Sequence, residues 1–151
     1  ECIFQKHPAV KRHYAAAVIF DTQGRVLLCR RSMTKTIAPG KWHLPGGTIE
    51  FHENPVETIE RELAEELNLH AVNVLPTVAK LTYEINGETH RTHVLWVEVD
   101  NEPKINNGEN DQYAFVPYED FGNYLEPHLV HDNQHAVLLA RRVKENGGSL
   151  G

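Results

Sequence analysis

Three glutamates, Glu62, Glu65 and Glu66, stand at i, i+3 and i+4. On a helix that spacing puts all three carboxylates on one side. Like charges so placed repel by roughly 0.2–0.5 kcal/mol per pair on an exposed surface. Only Arg61 stands four residues from one of them, Glu65, and in the less favourable order. Clustered carboxylates without lysines suit a hard divalent cation, Mg2+ or Mn2+. The helix alone is read equally well as an acidic solvated face. Just upstream, Gly46-Gly47 follows Trp42-His43-Leu44-Pro45. A glycine pair either turns the chain or lets backbone approach a ligand closely.

The elements that must position these groups are also legible. Asn54 caps a helix over 54–67, Pro55 suits its first position, and Glu57 completes a capping box. Val56, Ile59, Leu63 and Leu67 form one apolar stripe, and Asn68 suits a left-handed end. Buried strands are expected at Tyr14–Phe20 and Arg25–Cys29 around the turn at Asp21–Gly24. Residues 32–41 read as a loop, and short extended pieces are expected at 42–45 and 48–51. Strands at 74–85 and 89–99 flank Asn86-Gly87, the strongest short hairpin signal. A strand at 113–116 ends at Pro117, and a last helix spans 131–144. No repeat or linker interrupts 1–145, which read as a single α+β domain; residues 146–151 read as a disordered tail.

The chain has 151 residues, 40% of them hydrophobic, which excludes a disordered protein. Its longest apolar run is too short for a membrane span. Net charge is −6. All of that imbalance lies in residues 47–69, which hold seven glutamates and one arginine. Acidity argues against a nucleic-acid polymer as partner. Cys2 and Cys29 imply no disulfide framework, and with no signal-peptide pattern the cytoplasm is expected.

Taken together, Gly47, five residues, Glu53, seven residues, Arg61-Glu62-Leu63, one residue, Glu65-Glu66, one residue, Asn68-Leu69 resembles the Nudix box, G-x5-E-x7-R-E-U-x-E-E-x-G-U with U aliphatic. Asn68 replaces the last Gly, and asparagine is the next most tolerant residue at a left-handed helix end. The Val26–Ser32 strand, the WHLPGG approach and the FVPYEDF segment carry the likeness to residues 14–125. The resemblance implies an α/β/α sandwich around a mixed sheet. It also implies Mg2+-dependent attack of water on the phosphoanhydride of a nucleoside diphosphate linked to a further group. It assigns Glu62, Glu65, Glu66 and the Gly46 carbonyl to the metal. Glu53 either binds a second metal or pairs with Arg61. The water's base is Glu62, Glu65 or a glutamate outside the box.

Within that family the chain looks most like the MutT-type nucleoside triphosphate pyrophosphatases. Those members carry a further metal-binding glutamate before the segment matching Phe115-Val116-Pro117, here Glu109, ahead of Glu98 and Glu102. They also carry a phosphate-contacting arginine where Arg30 and Arg31 stand, and Gly47 would lie against substrate. Nucleoside triphosphate hydrolysis to monophosphate and pyrophosphate is therefore the first reading. ADP-ribose or nucleotide-sugar hydrolysis and dinucleoside polyphosphate hydrolysis are the alternatives. ADP-sugar members show a proline about 15 residues after the box, where this chain has Glu84 and Ile85. A non-catalytic nucleotide sensor would have lost box glutamates that this chain keeps. The partner is a small nucleotide, and a homodimer is left open. Among the histidines, the pairs His131/His135 and His90/His93 lack a third ligand for zinc. His43 and His52 flank the box as phosphate or packing residues, and Trp42 and Phe51 are expected to pack in the core before they stack on a base.

Overall fold

The computed structural model describes residues 2–106 and 108–147. A four-stranded mixed sheet has the order β4-β1-β6-β5, from β4 (Gly46–Thr48), β1 (Arg12–Val18), β6 (Glu88–Val99) and β5 (Ala71–Ile85). A second, antiparallel sheet has the order β3-β2-β7, from β3 (Trp42–His43), β2 (Val26–Arg31) and β7 (Asn110–Val116). Helix α1 (Ile3–Lys6) precedes β1, α2 (Pro55–Leu67) follows β4, and α3 (Pro127–Glu145) closes the order after a 3-10 turn at Tyr118–Asn123.

Alternation along the central strands explains the layers. Ala15, Ala17 and Ile19, with Leu27, Cys29, Leu95 and Val97, pack on one side against Ile59, Leu63 and Leu67 of α2. Val18, Val26, Leu28, Val94 and Trp96 pack on the other side against Ala136, Val137, Ala140 and Val143 of α3. Strands covered on both faces read as continuous apolar runs, which is why Tyr14–Phe20 shows no polar alternation. The result is the expected α/β/α sandwich with its mixed sheet.

Local signals place α2. The Asn54 side chain accepts from the Glu57 amide at 2.8 Å and the Glu57 carboxylate accepts from the Asn54 amide at 3.0 Å, a closed capping box. Asn68 ends the helix at φ 54°, ψ 34°. Asn86 and Gly87, at φ 50° and 80°, turn β5 into β6.

Several boundaries differ from the sequence reading. β1 stops at Val18, and Phe20 keeps only an isolated bridge to Val26. β5 starts at Ala71, with register irregularities at Ala71/Asn73 and Leu75/Ala79. β7 starts at Asn110 instead of 113, because Arg31 of β2 already pairs with it. α3 starts at Pro127 instead of His131, since proline at the first helical position needs no amide partner. The short α1 and the 3-10 turn lack a long periodic signal. Of the expected disordered tail, Asn146 and Gly147 form a turn that ends α3, and 148–151 lie outside the described residues.

Candidate active site

Arg61 organises the acidic side of α2. Its Nε donates to Glu53 Oε2 at 2.8 Å and its Nη2 to Glu53 Oε1 at 2.9 Å, a two-point clamp. Its Nη1 donates to Glu62 Oε1 at 2.7 Å and lies 3.6 Å from Glu65 Oε2. Nη2 also reaches the Thr48 carbonyl at 3.4 Å. One guanidinium therefore ties the helix to the loop after β4. Of the two roles open to Glu53, the ion pair with Arg61 is the one seen. Glu53 also accepts from the Thr58 hydroxyl at 2.7 Å and the Glu50 amide at 3.1 Å. These donors, Arg61 foremost, outweigh partial burial and hold the Glu53 carboxyl at about 2. The same clamp pushes the Arg61 guanidinium above its ordinary range.

The two glycines set how close strand and helix come. Gly46 pairs with Ala16 in β4, and a Cβ on it would lie 2.0 Å from the Ala15 carbonyl oxygen. A Cβ on Gly47 would lie 2.6 Å from Glu62 Cδ. Glu62 thus fills the place where any other residue would carry its side chain.

Glu66 is the anomalous group. It is buried at 7% exposure, and its Oε2 has no hydrogen-bond partner. Burial first, then the hydrogen bond and charge of Glu62 and the charges of Glu109 and Glu65, push its carboxyl up to about 9. A buried acid with an orphaned oxygen among carboxylates is what a hard cation would satisfy. The donor set, all carboxylate oxygen plus backbone carbonyl, fits Mg2+ or Mn2+. Among the described residues no three such side chains are gathered in ligating geometry; Arg61 draws Glu53 and Glu62 onto itself.

Glu109, at the entry to β7, comes to this cluster: its charge is felt at Glu66. Lys35 Nζ reaches Glu109 Oε1 at 2.8 Å, and Arg31 Nη1 lies 3.9 Å from Oε2. Arg30 and Arg31 part company. Arg31 is on Glu109, whereas Arg30 makes a two-point pair with Asp111 at 2.7 and 2.8 Å. Beneath the site, burial and then the Glu66 charge push the Cys29 thiol upward, so it is an unreactive core residue. Thr58, Lys35 and Asp111 were not singled out by spacing. Thr58 hides inside the helix pattern, and the other two meet their partners only through the fold.

The histidine pairs resolve differently from their sequence neighbours. His93 meets His13, Nε2 to Nδ1, at 2.9 Å, and His90 meets Tyr14 at 3.1 Å. His43 bonds the Leu44 carbonyl and Asn110 Oδ1, at 2.8 and 2.9 Å. Trp42 packs edge-on against Tyr124, but Phe51 is 61% exposed and is no core residue, its ring meeting Phe4 of α1 and His52 at the surface.

The family model described as NUDIX domain matches residues 10–141. The chain belongs to the Nudix family. A curated relative is the nucleoside triphosphatase NudI of Klebsiella pneumoniae (strain 342), 31% identical over 118 residues, covering 70% of this chain and 82% of that protein. Another is the 8-oxo-dGTP diphosphatase of Proteus vulgaris, 38% identical over 71 residues, covering 46% of this chain and 62% of that protein. Among solved structures, a MutT protein from Methanosarcina mazei Go1 superposes with TM-score 0.69 at 23% identity, covering 91% of this chain and 96% of that one, which shows the Nudix fold. The Nudix model together with these relatives makes the chain a pyrophosphohydrolase. Among the described residues no helix is long and apolar enough to cross a membrane.

Proposed function

We propose that this Nudix hydrolase uses Mg2+, or Mn2+ in its place, to convert a nucleoside triphosphate and water to a nucleoside monophosphate and pyrophosphate. The observation that carries the metal reading is Glu66, a buried carboxyl with an orphaned oxygen, raised by the charges of Glu62, Glu109 and Glu65. The substrate class rests on likeness to the triphosphatase and diphosphatase relatives. Glu62, Glu65, Glu66, Glu109 and the Gly46 carbonyl would hold the cation. Bound there, it would neutralise the negatively charged phosphate oxygens that shield phosphorus from a nucleophile and would help to orient the water.

The chain's residues do the rest. Arg61, fixed by the permanently ionised Glu53, holds Glu62 in place. The attacking water gives its proton to a glutamate, with Glu62 and Glu65 the candidates inside the box. Arg31, at the end of β2 beside Glu109, would contact phosphate in this reading, and Gly47 would lie against substrate. Residues 1–145 form one catalytic domain in this reading. Buried, free Cys29 suits a reducing compartment such as the cytoplasm.

A Mg2+-dependent screen over nucleoside triphosphates, ADP-ribose, dinucleoside polyphosphates and NADH tests it. Triphosphates are expected to be turned over fastest, with release of pyrophosphate. Faster turnover of ADP-ribose or a dinucleotide would replace the substrate assignment, and binding without turnover of any would make the domain a nucleotide sensor.

A further inference from the structure

Lys35 lies in the loop between β2 and β3, outside the box and upstream of the glycine pair. Its ammonium donates to Glu109 Oε1 at 2.8 Å, while Arg31 Nη1 stands 3.9 Å from the other oxygen. Two cations thus bracket one carboxylate beside the acidic face of α2. The loop is fastened at the same place through its backbone. The Ser32 amide donates to the Glu109 carbonyl at 2.9 Å, the Gly40 amide to the Arg31 carbonyl at 2.8 Å, and the Arg31 guanidinium to the Ile37 carbonyl. The position of Lys35 and that of Glu109 are therefore set together.

The Lys35–Glu109 pair is partly open to solvent, with side chains 30% and 40% exposed. A single-point pair of that kind is weak and readily exchanged. The neighbouring Arg30–Asp111 pair is bidentate and holds its geometry more firmly. The charge balance gives the exchange a direction. With Glu109 turned to a divalent cation, the ammonium is left without its counter-charge at the edge of a site that must then accept a polyanion.

We propose that Lys35 is a phosphate-positioning residue that guards Glu109. In the absence of cation and nucleotide it neutralises Glu109; once Glu109 engages a cation, the released ammonium binds the outer phosphates of the substrate. The inference rests on the triphosphate reading above and names the residue that couples cation to phosphate. Coupling of this kind is reciprocal, so each ligand tightens the other by the same factor.

The test titrates Mn2+, followed by the paramagnetic signal of the free ion, into wild type, Lys35→Met and Lys35→Arg, with and without inorganic pyrophosphate. Circular dichroism and thermal unfolding verify that all three fold. Lys35→Met should bind Mn2+ alone about threefold more tightly, because a weak competing pair is gone. It should bind pyrophosphate in the presence of Mn2+ about tenfold more weakly, because a charge-assisted contact is gone. Lys35→Arg should restore both to near wild type. Unchanged Mn2+ affinity in Lys35→Met, or unchanged pyrophosphate affinity, overturns the proposal. Neither result bears on whether the wild type hydrolyses triphosphates, which the substrate screen decides separately.

Discussion

Glu62 occupies the space that a side chain at position 47 would need, so the two residues are one unit. In Gly47→Ala the new Cβ would stand 2.6 Å from Glu62 Cδ and displace the carboxylate from Arg61. The backbone at Gly47 lies outside the strained left-handed region, so the fold should survive. With Glu62 a ligand of the proposed cation, catalytic efficiency should fall about 10- to 100-fold, the usual effect of disturbing what orients a metal ligand. Steady-state kinetics beside a thermal melt checks this; an unchanged rate would mean that Glu62 has freedom to move without consequence. Glu65 poses the opposite case. Its side chain is 54% exposed and only loosely paired to Arg61 at 3.6 Å. Glu65→Gln should therefore leave the melting temperature nearly unchanged while lowering turnover by orders of magnitude, because it removes a charge from the proposed cation site. Wild-type turnover in that variant would remove Glu65 from the ligand set.

At the scale of elements, α2 carries the site, and its stability comes from its two ends and its stripe. Asn54→Ala opens the capping box and should cost about 1 kcal/mol. Leu63→Ala, at a fully buried position facing β1 and β6, should cost about 2–5 kcal/mol. Urea unfolding measures both, and the ordering is the informative part: a larger loss at the cap would mean that the stripe is less tightly packed than its burial shows. This helix was fully legible in the sequence, because its cap, stripe and left-handed end are local signals. The hairpin at Asn86-Gly87 was legible for the same reason. The start of β7 was not, because Asn110–Gln112 become strand through pairing with Arg30 and Arg31 of β2, a contact that no local pattern encodes. The acidic face of α2 followed from spacing, and the pair of Glu53 with Arg61 was one of the two roles that the resemblance left open. The bond from Lys35 to Glu109 and the parting of Arg30 from Arg31 depend on how two separate strands meet, and the sequence left both arginines equivalent.

At the scale of the whole molecule, β1 and β6 are the parallel centre of the larger sheet, and a buried histidine pair joins them across 80 residues of sequence. His13 and His93 are both inaccessible, and their 2.9 Å contact needs one nitrogen to donate and the other to accept. The charged or titratable groups around them are Arg91, Lys80 and His7, all basic, and the edge of Phe4 closes the side toward α1. Burial foremost, with that positive surround, pulls His93 down to about 4 and lowers His13 as well. In the unfolded chain both titrate near 6.5, so between pH 6.5 and 4 the unfolded state binds more protons than the folded one. The pair's contribution to stability is then complete above pH 6.5 and falls as pH drops through that window, by about 3 kcal/mol for His93 alone. Glu53 adds a second loss lower down: its folded value near 2 stabilises above pH 4.5, and that contribution disappears between 4.5 and 2. Glu66 works the other way, since a carboxyl pushed up to about 9 in the fold stabilises increasingly as pH falls from 9 to 4.5, so the pair's own contribution is read as the difference in urea-derived stability between wild type and His93→Gln from pH 8 to pH 4. That difference should be largest above pH 6.5, where the variant also loses the contact between β1 and β6, and should shrink as pH drops toward 4. A difference that stays constant down to pH 4 would mean that the pair accepts a proton without cost and is not an acid-sensitive joint of the fold.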